Sequence, residues 1–195
     1  MTISGLIEPG ALSPTADLVT APDGLRVIGL DLSLTSTGVA LPTGTTYRIR
    51  TRQKDGDRRL LVIRDRIRQD LAEHRPHVAV VEDLPRHAKG AGITAMVQGV
   101  VRAELVEAGV PYALVVAATL KSYAADHGRA EKPAMAAAAF LAAGAEFTDD
   151  AGGDQCDAWW LRATGHDHYG APLFSLPEAQ RARLTKVNWP VELPR

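Results

Sequence analysis

The segment 26–41 constrains the fold more than any other part of this 195-residue chain. Its apolar run at 27–30 predicts a buried strand that ends at Asp31. A turn of small and hydroxylated residues follows, and 38–41 predicts the start of a second strand. A carboxylate at the end of a buried strand costs free energy unless another charge balances it. The segment therefore predicts a sheet whose first strand ends in an acid that needs a partner, such as a metal ion.

The composition is that of a globular domain, with 46% hydrophobic and 23% charged residues. The chain is long enough for one domain with tails. Its single cysteine, Cys156, excludes an internal disulfide bond and fits a reducing compartment. No apolar run approaches the roughly 18 residues of a spanning helix, and the N-terminus lacks a secretion-signal pattern. We expect a cytoplasmic protein without a membrane partner.

Strand and helix patterns alternate over residues 25–170 and predict one α/β domain. Strands are predicted at 25–32, 37–42, 45–51, 78–81 and 111–117, and helices from residue 57 and at 93–108, 119–126, 130–143 and 154–165. This order favours a mixed sheet with helices on both faces. Residues 1–24 are expected to form a flexible arm, and residues 171–195 a C-terminal tail without an assigned element.

Four acids are placed where they could meet at one edge of this sheet. Asp31 and Glu82 each follow a predicted strand, at the carboxyl end where parallel strands bind ligands. Asp154 and Asp157 are three residues apart, so they share one face of the last helix. Carboxylate oxygens suit Mg²⁺ or Mn²⁺, and two such ions roughly 4 Å apart support in-line phosphodiester hydrolysis. The four acids together predict a metal-dependent site.

Each acid taken singly also has a structural interpretation, since buried or perturbed acids arise for structural reasons. Asp31 would cap a turn, and Glu82 would pair with an arginine. Asp154 would be the N-cap of its helix, a role for which Asp149 and Asp150 compete. The combination of two strand ends and one helix is what favours a functional site.

The net charge of −1 gives no sign of a nucleic-acid partner, but the basic residues are unevenly distributed. One segment contains Arg48, Arg50, Arg52, Lys54, Arg58, Arg59, Arg64, Arg66 and Arg68. Two interpretations stay open: a solvated strand and helix face, or a stripe that follows the phosphates of a nucleic acid.

Four motifs, in this order, resemble those of the RuvC Holliday-junction resolvases of the RNase H-like superfamily. They are IGLDLSLTSTG at 28–38, VAVVE at 78–82, LKSYAADHGRAEK at 120–132 and DQCDA at 154–158. None of the motifs is specific by itself, whereas the ordered set is typical of the family. The resemblance covers roughly residues 25–165.

The resemblance implies an RNase H-like sheet of five strands, three antiparallel and then two parallel, flanked by helices. It implies a magnesium-dependent crossover junction endodeoxyribonuclease, usually a homodimer, that resolves four-way DNA junctions by paired nicks in recombination and repair. Mn²⁺ would substitute for Mg²⁺. The metal ligands would be Asp31, Glu82, Asp154 and Asp157, and Lys132 would complete the catalytic set.

The resemblance also implies DNA contacts. Lys121 and Lys132 would approach the scissile or flanking phosphates, with Arg129 either assisting or remaining a solvated loop charge. After the second acid the family carries a glutamine and soon an aromatic residue, whereas this chain has EDLPRH at 82–87. Arg86 or His87 would then stack on a base instead. The apolar face of the helix at 93–108 would serve the core and a two-fold dimer.

Three other functions remain open. The chain could bind branched DNA without cutting it, although four intact acids facing phosphate would not help a binder. In actin-like and sugar-kinase-like ATPases, the first hairpin also has Thr, Ser and Gly after an acid. This chain, however, lacks a convincing copy of their second, glycine-rich phosphate loop. An RNase H-like enzyme could instead cut flaps, forks or RNA, because a fold does not determine its substrate.

Overall fold

The structure, a computed structural model, describes residues 23–84 and 91–194. The expected arm at 1–24 lies outside the described residues except for its last two. No helix within the described ranges is both long and apolar enough to cross a membrane.

Five strands form one mixed sheet in the order β3-β2-β1-β4-β5. They are β1 (Val27–Asp31), β2 (Ser36–Ala40), β3 (Thr46–Arg50), β4 (Val78–Glu82) and β5 (Tyr112–Val115). β2 pairs antiparallel with β1 and β3, while β4 pairs parallel with β1 and β5. The predicted fold class, three antiparallel strands followed by two parallel ones, is confirmed.

Helices cover both faces of the sheet. They are α1 (Arg58–His74), α2 (Ala91–Glu107), α3 (Ala117–Ala125), α4 (Lys132–Ala143) and α5 (Asp154–His168). α1 begins after Asp57 and ends at Arg75, whose φ of 43° is left-handed and stops the helix. Pro133 lies in the first turn of α4, where its missing N–H leaves no helical hydrogen bond unmade.

The alternation of side chains along the strands divides the core into two layers. In β1, Ile28 and Leu30 pack with α1 and α2, whereas Val27 packs with α3, α4 and α5 on the opposite face. β4 follows the same alternation, with Val81 in the first layer and Val80 in the second. Burial on both faces explains why the runs at 27–30 and 78–81 are continuously apolar.

The segment after residue 170 packs against the layer that contains α5. It forms α6 (Glu178–Arg181) and a 3₁₀ turn at Ala182–Lys186. Leu184 is buried in the core, and the Gln180 side-chain amide donates a 2.8 Å hydrogen bond to the Tyr123 carbonyl. These elements are too short for a hydrophobic period to develop, which is why the sequence pattern assigned none of them.

Candidate active site

The pairing of β1 with β4 brings the first two acids to the same edge of the sheet. Leu30 lies opposite Val81 in this parallel pair, and Asp31 and Glu82 are the next residues on their strands. Both side chains therefore leave the carboxyl end of neighbouring parallel strands. This is the placement that the sequence pattern predicted.

Two glycines allow α5 to lie directly on the sheet beside these acids. A Cβ atom at Gly29 would overlap the backbone of Ala158, and one at Gly38 would overlap the backbone of Asp154. Gly38 is also the β2 residue opposite Asp31. Because Gly29 and Gly38 have no side chain, the first turn of α5, which carries Asp154 and Asp157, can lie against the strand end that carries Asp31.

The N-terminus of α5 is capped by a residue outside the helix. Gly153 is the N-cap position, with a left-handed φ of 72°, and it has no side chain to offer. The Asp150 carboxylate accepts hydrogen bonds from the backbone N–H groups of Gln155 (3.1 Å) and Cys156 (3.0 Å). The structural interpretation of Asp154 as the N-cap is therefore wrong, and its carboxylate is available for other contacts.

Burial and mutual repulsion raise the pKa values of three of the acids. The pKa of Asp31 lies well above its ordinary value, first through burial and then through the charges of Glu82 and Asp157. Burial, then Asp157 and, with a smaller effect, the neighbouring Asp83 raise the pKa of Glu82 from 4.5 to about 7. Burial raises the pKa of Asp157 from 3.8 to about 6, with a contribution from Asp154. Asp31, Glu82 and Asp157 thus share one electrostatic environment that disfavours their ionised forms.

Two lysines oppose this effect. Lys121 on α3 and Lys132 at the start of α4 lower the pKa of both Glu82 and Asp157. The Lys132 Nζ atom also lies 3.9 Å from Asp154 Oδ1. The structure therefore brings both predicted lysines close to the acids.

The other predicted DNA contacts are placed differently. Arg129 is exposed in the turn between α3 and α4, and no ion pair or hydrogen bond joins it to the acids in the described structure. Arg86 and His87 lie outside the described residues. The stacking role expected for them stays a prediction.

Ser36 and Arg48 are contacts of the site that the sequence analysis did not identify. The Ser36 hydroxyl donates a 2.5 Å hydrogen bond to Asp154 Oδ2, and Arg48 Nη1 lies 3.6 Å from the same oxygen. The predicted period-two alternation of β3 is present, but Arg48 faces α5 and is not solvated. The signal that could have revealed this is Gly38, the β2 partner of Arg48, because a glycine within a strand marks a close approach of another backbone, here that of α5.

The donor set fits a hard divalent cation. All four acids offer carboxylate oxygens, and a cation would relieve the repulsion that raises the pKa values of Asp31, Glu82 and Asp157. As placed, no group of three or more His, Cys, Asp or Glu side chains within residues 23–84 and 91–194 is arranged to hold a metal ion. Asp154, held by Ser36 and Arg48, is one side chain that would have to turn towards the others.

Cys156 lies between the two acids of α5 but belongs to the core. Its side chain is buried, and burial raises the pKa of the thiol to about 12. A thiol with such a pKa is not a nucleophile at neutral pH. The chemistry of this edge therefore depends on carboxylates and lysines.

The fold is similar to that of solved RuvC structures. A Thermus thermophilus RuvC in complex with a Holliday junction substrate matches with a TM-score of 0.63 and 22% identity, over 75% of this chain and 97% of that chain. A second Thermus thermophilus RuvC structure matches with a TM-score of 0.62 and 22% identity, over 75% of this chain and 98% of that one. No family model and no curated protein matches the sequence. The chain has a RuvC-like resolvase fold, as the ordered motifs predicted.

Proposed function

We propose that this chain is a metal-dependent endonuclease that resolves four-way DNA junctions by paired nicks. The observation that carries the proposal is the convergence of four acids and two lysines at one edge of a RuvC-like fold. Buried acids that repel one another are costly unless a cation accompanies them. Such an arrangement is expected of a site that binds divalent cations and phosphate together.

The acids would hold Mg²⁺, with Mn²⁺ as a substitute, through the oxygens of Asp31, Glu82, Asp154 and Asp157. A bound cation supplies a Lewis acid that activates water and stabilises the leaving oxygen. The strand ends fix Asp31 and Glu82, while the first turn of α5 fixes the other two acids. Cation binding would release protons, since the pKa values of Glu82 and Asp157 are raised to about 7 and about 6.

The lysines would bind the phosphate that approaches this edge. Lys121 and Lys132 already lower the pKa of the nearest acids, so their ammonium groups lie within electrostatic reach of the reacting centre. An ammonium group acts as a point charge on a phosphate oxygen. Charge that develops on that phosphate during cleavage would be stabilised by both side chains.

Branched DNA is the substrate that the solved structures favour, because the Thermus protein of the same fold was determined with a Holliday junction substrate. A basic residue after β3 would extend the DNA contact. Asp31 lies opposite Gly38, and Gly38 lies opposite Arg48, so β3 runs towards the edge that carries the acids. Arg52 follows at this edge with an exposed side chain. We propose that it contacts a phosphate flanking the junction.

A homodimer would place two such sites on one junction. Val97 and Val101 of α2 are buried in the core, whereas Ile93 and Met96 remain 51% and 44% exposed. Two-fold association through this exposed part of α2 would cover both side chains. Symmetric nicks would follow from the symmetry of the two sites.

Cleavage of a labelled four-way junction tests the proposal directly. The junction is compared with linear duplex, flap, fork and single strand, each with Mg²⁺ and with a chelator. We expect paired, metal-dependent nicks confined to the junction. Cutting of flaps and forks as well would widen the function to branched-DNA processing. Tight junction binding without cleavage under Mg²⁺ or Mn²⁺ would overturn the enzyme and favour a binding protein.

A further inference from the structure

Arg48 joins the edge strand β3 to the start of α5. Its Nη1 atom lies 3.6 Å from Asp154 Oδ2 and its Nε atom 3.7 Å from Asp150 Oδ1. Its Nη2 group donates a hydrogen bond to the carbonyl oxygen of Asp149. The side chain is only 10% exposed. Arg48 is therefore not a free surface charge, although it belongs to the basic segment.

Of the four acids, Asp154 is the one that forms ion pairs within the described residues. Its side chain is 16% exposed, and of the three acids that raise the pKa of Asp31 it has the smallest effect. Ser36 and Arg48 approach it from the strand side, while Lys132 Nζ lies 3.9 Å from its other oxygen. The Asp154 carboxylate is thus occupied by contacts that a cation would have to replace in part.

We propose that Arg48 is a positioning residue that competes with the divalent cation for Asp154. The inference rests on the proposed metal-dependent function. Before a cation binds, Arg48 balances the charge of Asp154 and holds it at the rim. When a cation binds, Asp154 exchanges Arg48 for the cation and turns towards Asp31 and Asp157. This exchange makes cation binding weaker than the four acids alone would give.

Arg50 offers a matched control. It is two residues further along β3 and faces the same helix terminus, so its removal changes the net charge equally. Its side chain is 55% exposed and is paired with Asp149, with Nη2 2.6 Å from Asp149 Oδ2. No contact joins Arg50 to Asp154 in the described structure. A general electrostatic effect would appear in both variants, whereas competition for Asp154 would appear only at Arg48.

The experiment measures cation affinity on the full chain without DNA. Mn²⁺ binding is followed by the loss of the free Mn²⁺ signal in electron paramagnetic resonance, and Mg²⁺ binding by calorimetry. We expect Arg48→Gln to tighten binding by about threefold or more, because one positive charge leaves the site. Arg50→Gln should change it by less than about twofold, since solvent and salt screen an exposed charge. A purely structural role for Arg48 would loosen the site and weaken binding instead.

A double-mutant cycle shows whether the effect passes through Asp154. In an Asp154→Asn background, Arg48→Gln should increase cation affinity no more than Arg50→Gln does. A gain that persists in this background, or equal effects at both arginines, would overturn the inference. Should Arg48→Gln melt below the assay temperature, Arg48→Lys makes the same test, because one ammonium cannot contact Asp154 and Asp150 as a guanidinium does. Tighter binding is expected there too, and its absence would overturn the inference.

The wild-type chain separates this inference from the function on which it rests. If the wild-type chain binds cations and the Arg48 variants bind them no more tightly, the proposed competition is overturned. The proposed metal-dependent function is not affected by that result. A wild-type chain that binds neither Mn²⁺ nor Mg²⁺ would overturn both.

Discussion

On one face of the sheet, α1 and α2 pack large aliphatic side chains against the strands, among them the fully buried Ile63 and Ile67. On the other face, α5 meets β1 and β2 at Gly29 and Gly38, where the helix backbone takes the place of a side chain. The first contact buries apolar area and so stabilises the domain. The second brings the acids of Asp154 and Asp157 to the end of β1. The α5 face therefore combines a core layer with the chemistry, whereas the face covered by α1 and α2 contributes packing alone.

The largest effect should come from the acid at the centre of the α5 face. Asp31→Asn removes one carboxylate of the proposed cation site and should lower junction cleavage by about 1,000-fold. Junction binding should persist or become tighter, because negative charge near the phosphates is removed. Gel-shift and cleavage assays on the same junction measure both. An Asn variant that cuts normally would remove Asp31 from the site.

Gly38→Ala should displace α5 from the sheet without changing any of the four acids. The added methyl group would overlap the backbone of Asp154, so the first turn of α5 must move. A displacement of about 1 Å is expected to lower cleavage by about 100-fold. The matched variant on the other face is Ile63→Ala, which should cost about 3 kcal/mol of unfolding free energy but retain cleavage by the folded fraction. Equal losses of cleavage in both variants would contradict the division between the faces.

Glu82 should give the α5 face a pH-dependent stability that its amide variant lacks. The folded pKa of Glu82 is about 7 against 4.5 ordinarily, so the folded state binds more protons between these values. Its contribution to stability is therefore lost as pH rises from about 5 to about 7, by about 2 kcal/mol. Glu82→Gln should lack this loss.

Urea unfolding of the wild-type chain and of Glu82→Gln, both in the presence of a chelator, gives the difference in unfolding free energy at each pH. The comparison with Glu82→Gln is needed because His166 acts in the opposite direction. Burial lowers the pKa of His166 to about 4, so the contribution of His166 to the stability of the folded protein increases as pH rises from 4. A difference in unfolding free energy between wild type and variant that does not change with pH would show that the pKa of Glu82 is not raised in the folded protein.

The smallest effect is expected at the rim of the site. Lys132→Ala removes a point charge near Asp154 and should lower cleavage by about 10-fold, with little change in unfolding free energy because the side chain is 56% exposed. Lys186→Ala, at the exposed end of the 3₁₀ turn that packs near the C-terminal end of α5, is the control. Turnover that matches the control would exclude Lys132 from the site.

The sequence was sufficient for the fold and for the position of each acid. Strand ends and helical spacing are local signals, and they placed Asp31, Glu82 and the two acids of α5 correctly on their elements. The role of Arg48 was not predictable in the same way. Alternation along β3 separates it from Tyr47, but only the pairing of strands and the approach of α5 show that its face is covered.

Two other features depend on tertiary contacts that no local pattern records. Asp150 caps α5 from four residues before the helix, so its spacing differs from the usual N-cap. The segment after residue 170 is anchored by contacts with distant elements, such as the burial of Leu184 and the 2.5 Å ion pair between Arg181 and Asp167. Such contacts arise from the packing of distant elements and leave no hydrophobic period.

The hydrogen bond from Ser36 to Asp154 closes a loop in which the two residues are 118 positions apart. The first hairpin, α1 and β4 can associate early, because their contacts are closer in the chain. α5 must dock across the completed sheet before the acids meet, and long-range docking is a slow step in folding. A ribosome-bound chain that has not yet released α5 therefore carries Asp31 and Glu82 without the other two acids. The candidate site would be assembled only after α5 has left the ribosome and docked on the sheet.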